Sequence, residues 1–161
     1  MAVAIKNERE HELFLTRTFD APIELVYKAW TNPHFVAKWW GPKGYTNPVC
    51  EVDAQIGGKI LIHMRAPDGT VYPMTGVFES LIEPTQIVFS SAALRDGRPM
   101  FEIRNTITLA PAGEGKTTLT LQATVTMAEA DTAQYLDGME MGWTQSLDRL
   151  GSLLSDPSTR S

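Results

Sequence analysis

Two stretches of strict alternation limit this chain to very few architectures. Phe101, Ile103, Ile107 and Leu109 alternate with Glu102, Arg104, Thr106 and Thr108, and Leu119, Leu121, Ala123 and Val125 alternate with Thr118, Thr120, Gln122, Thr124 and Thr126. A period of two with one apolar and one polar face is the pattern of an antiparallel sheet wetted on one side. The apolar face of such a sheet must be covered. The one segment long enough to do so is about Asp131 to Leu154, where Met139, Trp143, Leu147, Leu150 and Leu154 recur at helical spacing. A helix of that length would span about 35 Å.

The remaining strands can be read from the same signals. His11 to Asp20 reads as a strand with Leu13, Leu15, Arg17 and Phe19 on one face. Asp20 and Pro22 mark a helix start, Ile23, Val26, Tyr27 and Trp30 form its apolar stripe, and Thr31-Asn32-Pro33 ends it before a short second helix over 33–39. From Tyr45 the period returns to two. Strands are expected over 45–54, 59–65, 72–82 and 86–94, separated by Gly57-Gly58, Ala66-Pro67-Asp68-Gly69, Glu83-Pro84 and Arg95 to Pro99. The result is an α+β fold: a curved antiparallel sheet of about seven strands wrapped around a long C-terminal helix, with two short helices between strands 1 and 2. A bent sheet around a helix leaves a gap between them, which is where a ligand would sit. Residues 1–10 read as a flexible leader, 11–155 as a single domain and 156–161 as a flexible tail.

Several function classes are set aside by composition. A chain of 161 residues, 43% hydrophobic and 20% charged, suits one globular domain with its own core. A formal net charge of −5 argues against nucleic-acid binding, which needs a basic face. No run approaches the roughly 20 apolar residues of a membrane span, no signal peptide is expected in Met1 to Glu10, and a cytoplasmic location is expected. Cys50 is the only cysteine, so no internal disulfide can form, and it reads as a small buried hydrophobe. His11, His34 and His63 fall at no metal-ligand spacing, so no metal or other cofactor is expected. Gly113-Glu114-Gly115-Lys116-Thr117-Thr118 superficially resembles a phosphate loop, but a strand follows it where a helix N-terminus is needed, so a hairpin loop is expected.

Trp39-Trp40-Gly41-Pro42 is the most specific local signal. Adjacent tryptophans at a helix end point in different directions. One can close a core while the other caps a cavity, and each offers an indole N–H. Gly-Pro then stops the helix.

Phe19-Asp20-Ala21-Pro22, Ala29-Trp30-Thr31, Trp39-Trp40-Gly41-Pro42, Gly57-Gly58, Pro67-Asp68-Gly69 and Gly138-Met139-Glu140-Met141-Gly142-Trp143 follow one another in that order. With these motifs the chain resembles the family named after the C-terminal domain of the activator of heat-shock protein 90 ATPase. That family lies in the START-like, helix-grip superfamily beside polyketide cyclases and Bet v allergen-like proteins. The resemblance runs from about His11 to Leu154. It implies the helix-grip fold and binding of a small hydrophobic or amphipathic molecule between sheet and helix. It also leaves two alternatives: a co-chaperone-like or stress-associated interaction module that contacts a chaperone, and a cyclase or hydrolase working in the same cavity.

The candidate ligand-binding residues follow from this picture. Trp39, Trp40, Tyr45, Met64, Met74, Phe78, Phe89, Phe101, Met139 and Trp143 could grip a flat or flexible apolar ligand, or could simply fill the core. Arg17 and Asn105 are polar residues on otherwise apolar faces, and either could orient a carboxylate, carbonyl or hydroxyl. The alternative is an internal ion pair, for instance with Glu51 or Asp53, or a strand bulge that turns them outward. Gly138 and Gly142 lie four apart in the expected helix, which means either room for a ligand or close packing. No catalytic residue stands out. A homodimer through a sheet edge or helix face is compatible with the pattern.

Overall fold

The computed structural model describes residues 12–128 and 138–156. Seven antiparallel strands form one curved sheet: β1 (Glu12–Phe19), β2 (Thr46–Val52), β3 (Lys59–Arg65), β4 (Val71–Ile82), β5 (Gln86–Arg95), β6 (Arg98–Pro111) and β7 (Thr117–Ala128). Their spatial order is β1-β7-β6-β5-β4-β3-β2. From β2 to β7 each strand pairs with the next, and β7 finally pairs with β1. The first two strands are therefore the two edges of the sheet. The chain between them carries α1 (Ile23–Thr31) and α2 (Pro33–Trp39) across the open side. The third described helix, α3 (Met139–Ser155), packs against α2, β1 and α1. No described helix is long and apolar enough to cross a membrane.

Alternation translates directly into faces. Ile103, Asn105, Ile107 and Leu109 of β6 pair with Val125, Ala123, Leu121 and Leu119 of β7, and all eight are buried. Leu15, Ile62, Ile87, Ile107, Leu119 and Leu121 meet Leu147, Leu150 and Leu154 of α3 in one fully buried core. Each such aliphatic side chain stabilises the fold by about 1.5–3 kcal/mol before ordering costs. The start of α2 is also set locally: the Asn32 side chain accepts a hydrogen bond from the His34 N–H at 2.9 Å, and Pro33 occupies the first turn.

One expectation shifts. The segment Arg95 to Pro99 is not a five-residue turn. Asp96 (φ 54°) and Gly97 (φ 76°) both adopt the left-handed region, and that pair alone turns the chain, so Arg95 pairs with Arg98. The described part of the terminal helix starts at Met139, with Gly138 at its N-cap, a position that tolerates glycine. Its 17 residues span about 25 Å, and the expected helical residues 131–137 lie outside the described chain. The loop at Gly113 to Lys116 is a hairpin, closed by the Ala112 N–H on the Lys116 carbonyl at 3.0 Å.

Candidate ligand-binding site

All four tryptophans of the chain gather where α1, α2 and α3 meet the sheet. Trp30 and Trp39 are 4.7 Å apart edge to face, Trp30 stacks on Trp143 at 5.9 Å, and Trp40 meets Trp143 at 5.4 Å in a T arrangement. The two neighbours at the end of α2 divide their roles. Trp39 is fully buried and donates its indole N–H to the Ala29 carbonyl at 2.9 Å, closing the core. Trp40 forms the wall of a pocket. The Trp30 indole N–H is buried without a partner among the described residues.

The pocket has a volume of about 210 Å³ and lies between the sheet and α3. Trp40, Gly41 and Pro42 form one wall, and Met139, Gly142, Trp143 and Ser146 of α3 form the roof. The floor comes from Met64 of β3, Tyr72, Pro73 and Met74 of β4, Ser91 and Ala93 of β5, and Phe101, Ile103 and Asn105 of β6. Among the described residues, none that lines the pocket carries a charge at neutral pH. A Cβ built on Gly142 would meet nothing within 4 Å. Of the two uses weighed for this glycine, open space and not close packing is what the described residues leave around it.

Asn105 is the buried polar group of the floor, with no exposed surface. Its Nδ2 donates to the Phe89 carbonyl at 3.3 Å and to the Ser91 hydroxyl at 3.0 Å. Its Oδ1 is buried and has no hydrogen-bond partner among the described residues.

The wall containing Trp40 is tied to α3 by a side chain that no sequence pattern singles out. Arg149 sends Nη1 to the carbonyls of Trp40, Gly41 and Pro42 and Nη2 to that of Lys38, each at 3.0 Å. These are carbonyls at and beyond the C-terminal end of α2 that lack helical partners, and a guanidinium satisfies them while offsetting the negative helix end. Burial lowers the pKa of Arg149 from its ordinary value. The Lys43 N–H adds a hydrogen bond to Gln145 Oε1 at 3.0 Å. Gly41 makes the bend possible: its φ is +95°, and a Cβ there would lie 3.1 Å from Met64 Sδ.

Residues 20–155 match the family described as Activator of Hsp90 ATPase homolog 1-like protein. The chain belongs to that family. A crystal structure of a Chromobacterium violaceum protein is similar to it at 30% identity and a TM-score of 0.76, covering 91% of this chain and 99% of that one. A solution structure of an Arthrobacter aurescens protein is similar at 26% identity and a TM-score of 0.81, covering 91% of this chain and 87% of that one. The AHSA1 protein of Silicibacter pomeroyi, at 24% identity and a TM-score of 0.76, shares the fold over 89% of this chain and 97% of its own. No curated protein matches the chain.

Within this family fold, the expected ligand-binding residues separate into two groups. Trp40, Met64, Met74, Phe101, Asn105, Met139 and Trp143 come together around the pocket. Trp39, Phe78 and Phe89 do not line it; they are core, at most 2% exposed. Tyr45 stands beside it, its ring 6.2 Å from that of Tyr72, and burial, with Tyr72 and Asp68 nearby, raises its pKa. Arg17 is also outside the lining. It reaches Asp148 of α3 at 2.7 Å and donates to the Thr144 carbonyl at 3.4 Å. The ion pair it makes is at the solvent-exposed rim and not internal, and its partner is Asp148, not Glu51 or Asp53. Ser91, Ser146 and Tyr72 join the lining without a sequence signal that selects them. Elsewhere, Cys50 is half-buried against the Pro33 carbonyl (3.6 Å), and burial pushes its thiol up to about 11. A second hollow of about 470 Å³ on the outer side of β2–β6 is lined by Glu51, Lys59 and Glu102 among small and aliphatic residues, without an aromatic ring.

Proposed function

We propose that this protein binds a small apolar or amphipathic molecule in the pocket between the sheet and α3. The observation that carries this reading is the space over Gly142. Glycine inside a helix costs about 1 kcal/mol relative to alanine. Among the described residues no neighbour would clash with a methyl group, so packing against them does not account for it, whereas room for a guest does. Burial of ligand surface against Trp40, Trp143, Met64, Met74 and Met139 would supply the driving force, at about 25 cal/mol per Å² before association costs. Methionines adapt to irregular shapes and indoles grip flat ones. A cyclase or hydrolase working in the same pocket would have Tyr72 as its one titratable group among the described lining residues.

Native mass spectrometry of the purified protein, followed by solvent extraction, tests the binding reading. A stoichiometric small molecule, lost in a Gly142→Leu variant, is the expected result. The family name supplies the alternative, contact with a chaperone ATPase. That reading would be favoured by a clean apo mass together with a stable complex with the purified chaperone.

A further inference from the structure

The inner face of β5 changes character along its length. Ile87 and Phe89 are large and buried, whereas Ser91 and Ala93, next on the same face, are small, half-buried and part of the pocket floor. The Ser91 hydroxyl accepts a hydrogen bond from Asn105 Nδ2 at 3.0 Å. The orientation of that amide is dictated by the Phe89 carbonyl, which can only accept, so the nitrogen must face it. Asn105 Oδ1 is sealed from the pocket, so the polar effect of Asn105 on the cavity passes through Ser91. A serine oxygen that accepts from Asn105 sends its own proton elsewhere. No described residue receives that proton.

We infer that the Ser91 hydroxyl, aimed by Asn105, donates a hydrogen bond to a carbonyl oxygen of the ligand. This rests on the ligand-binding reading of the pocket. Three observations lead to that chemistry. First, Ser91 is partly open and its side chain lies on the inner face of the sheet, as the bond to Asn105 requires, so what opens it is the pocket. In the empty pocket water can take its proton. A guest that covers the floor displaces that water, and a purely apolar one would leave the donor unpaired, whereas an acceptor oxygen replaces the lost bond. Second, the oxygen of Ser91 is already used as an acceptor, so the floor is biased toward donating. Ser146, only 5% exposed, brings a second hydroxyl to the lining from the roof. A carbonyl oxygen, with two lone pairs, can accept from more than one such donor. Third, the remaining wall is apolar and aromatic. Trp40 and Trp143, in their T arrangement, offer one face and one edge to a planar group. A volume of about 210 Å³ suits roughly ten to fifteen non-hydrogen atoms.

Equilibrium dialysis with two matched naphthalenes tests this. 2-Acetylnaphthalene carries a carbonyl oxygen where 2-isopropenylnaphthalene carries a methylene group, and the two have nearly the same shape. The readout is the ratio of their affinities in Ser91→Ala against the wild type, because the comparison across proteins cancels the different hydration of the two probes. That ratio is expected to fall by about threefold or more in the variant, through weaker binding of the ketone alone. A smaller change, or an equal loss for both probes, with binding of both blocked by Gly142→Leu, would overturn the donor inference and leave the pocket reading standing. No binding of either probe to the wild type would overturn the pocket reading and this inference with it. Infrared spectroscopy of the ketone, labelled with ¹³C at its carbonyl, decides where Ser91→Ala does not fold. Bound to the wild type, its carbonyl band is expected at lower frequency than in hexane, and to move back toward the hexane position in Asn105→Leu, which keeps the hydroxyl but no longer aims it. A hexane-like band in the wild type would overturn the inference, and an unchanged band in the folded Asn105→Leu variant would overturn the role given to Asn105.

Discussion

Arg17 Nη1 of β1 lies 2.7 Å from Asp148 Oδ1 of α3, joining residues 131 positions apart across the rim of the sheet. The Arg17 side chain is 24% exposed and that of Asp148 63% exposed, so the pair is screened and its coupling is modest. Arg17→Ala should destabilise by about 0.5–1 kcal/mol and leave ligand uptake unchanged. A urea-denaturation double-mutant cycle with Asp148→Ala, run beside dialysis of each variant, checks both halves. Loss of uptake with stability retained would restore Arg17 to the binding site.

Gly142 should separate stability from binding. Gly142→Ala relieves the helix penalty without a clash and should stabilise by up to about 1 kcal/mol. Gly142→Leu places its side chain in the pocket and should block uptake while the protein stays folded. Calorimetric melting and native mass spectrometry of the two variants read these effects. A destabilised alanine variant would mean that the helix is packed closely there after all.

Arg149 holds the Trp40–Pro42 wall in place. Arg149→Ala strips a charged donor from four carbonyls and should cost about 2–3 kcal/mol. Arg149→Lys should recover less than half of that, because an ammonium lacks the planar fork that reaches several acceptors at once. Urea denaturation gives the magnitudes, and the change in tryptophan emission shows whether the indole cluster loosens with them.

Cys50 should be a poor nucleophile. Its thiol is raised from 9.0 to about 11 by burial, so the native protein at pH 8 holds far less thiolate than the unfolded chain. Iodoacetamide labelling should be slower in the native state by one to two orders of magnitude, on the order of the thiolate ratio. The sign for stability follows. The neutral thiol's contribution is complete below pH 9 and is lost as pH rises through about 11. Labelling at equal rates in native and denatured protein would contradict this.

The sheet is legible in the sequence because its signal is local. Leu119, Leu121, Ala123 and Val125 declare their face within one strand, and all four are buried as that alternation requires. The division of labour between Trp39 and Trp40 is legible for a similar reason: adjacent side chains at a helix end must diverge. Asn105 is legible as a polar break in an apolar face. Arg17 breaks its own strand in the same way, yet its use depends on Asp148, which no local pattern associates with it. Arg149 is harder still, since its four acceptors are backbone carbonyls more than a hundred residues away and carry no residue identity. Ser91 and Ser146 join the pocket because the sheet curves and α3 crosses it, a tertiary fact with no periodicity to reveal it.

The most direct test is a ¹⁵N-resolved NMR titration of the whole protein with 2-naphthol. Saturable shifts should appear at the indole N–H of Trp40 and Trp143, the Asn105 side-chain amide and the Gly142 backbone amide, with Leu61 and Val77 on the outer face unmoved. Shifts confined to that outer face, or none at all, would contradict binding beneath the helix.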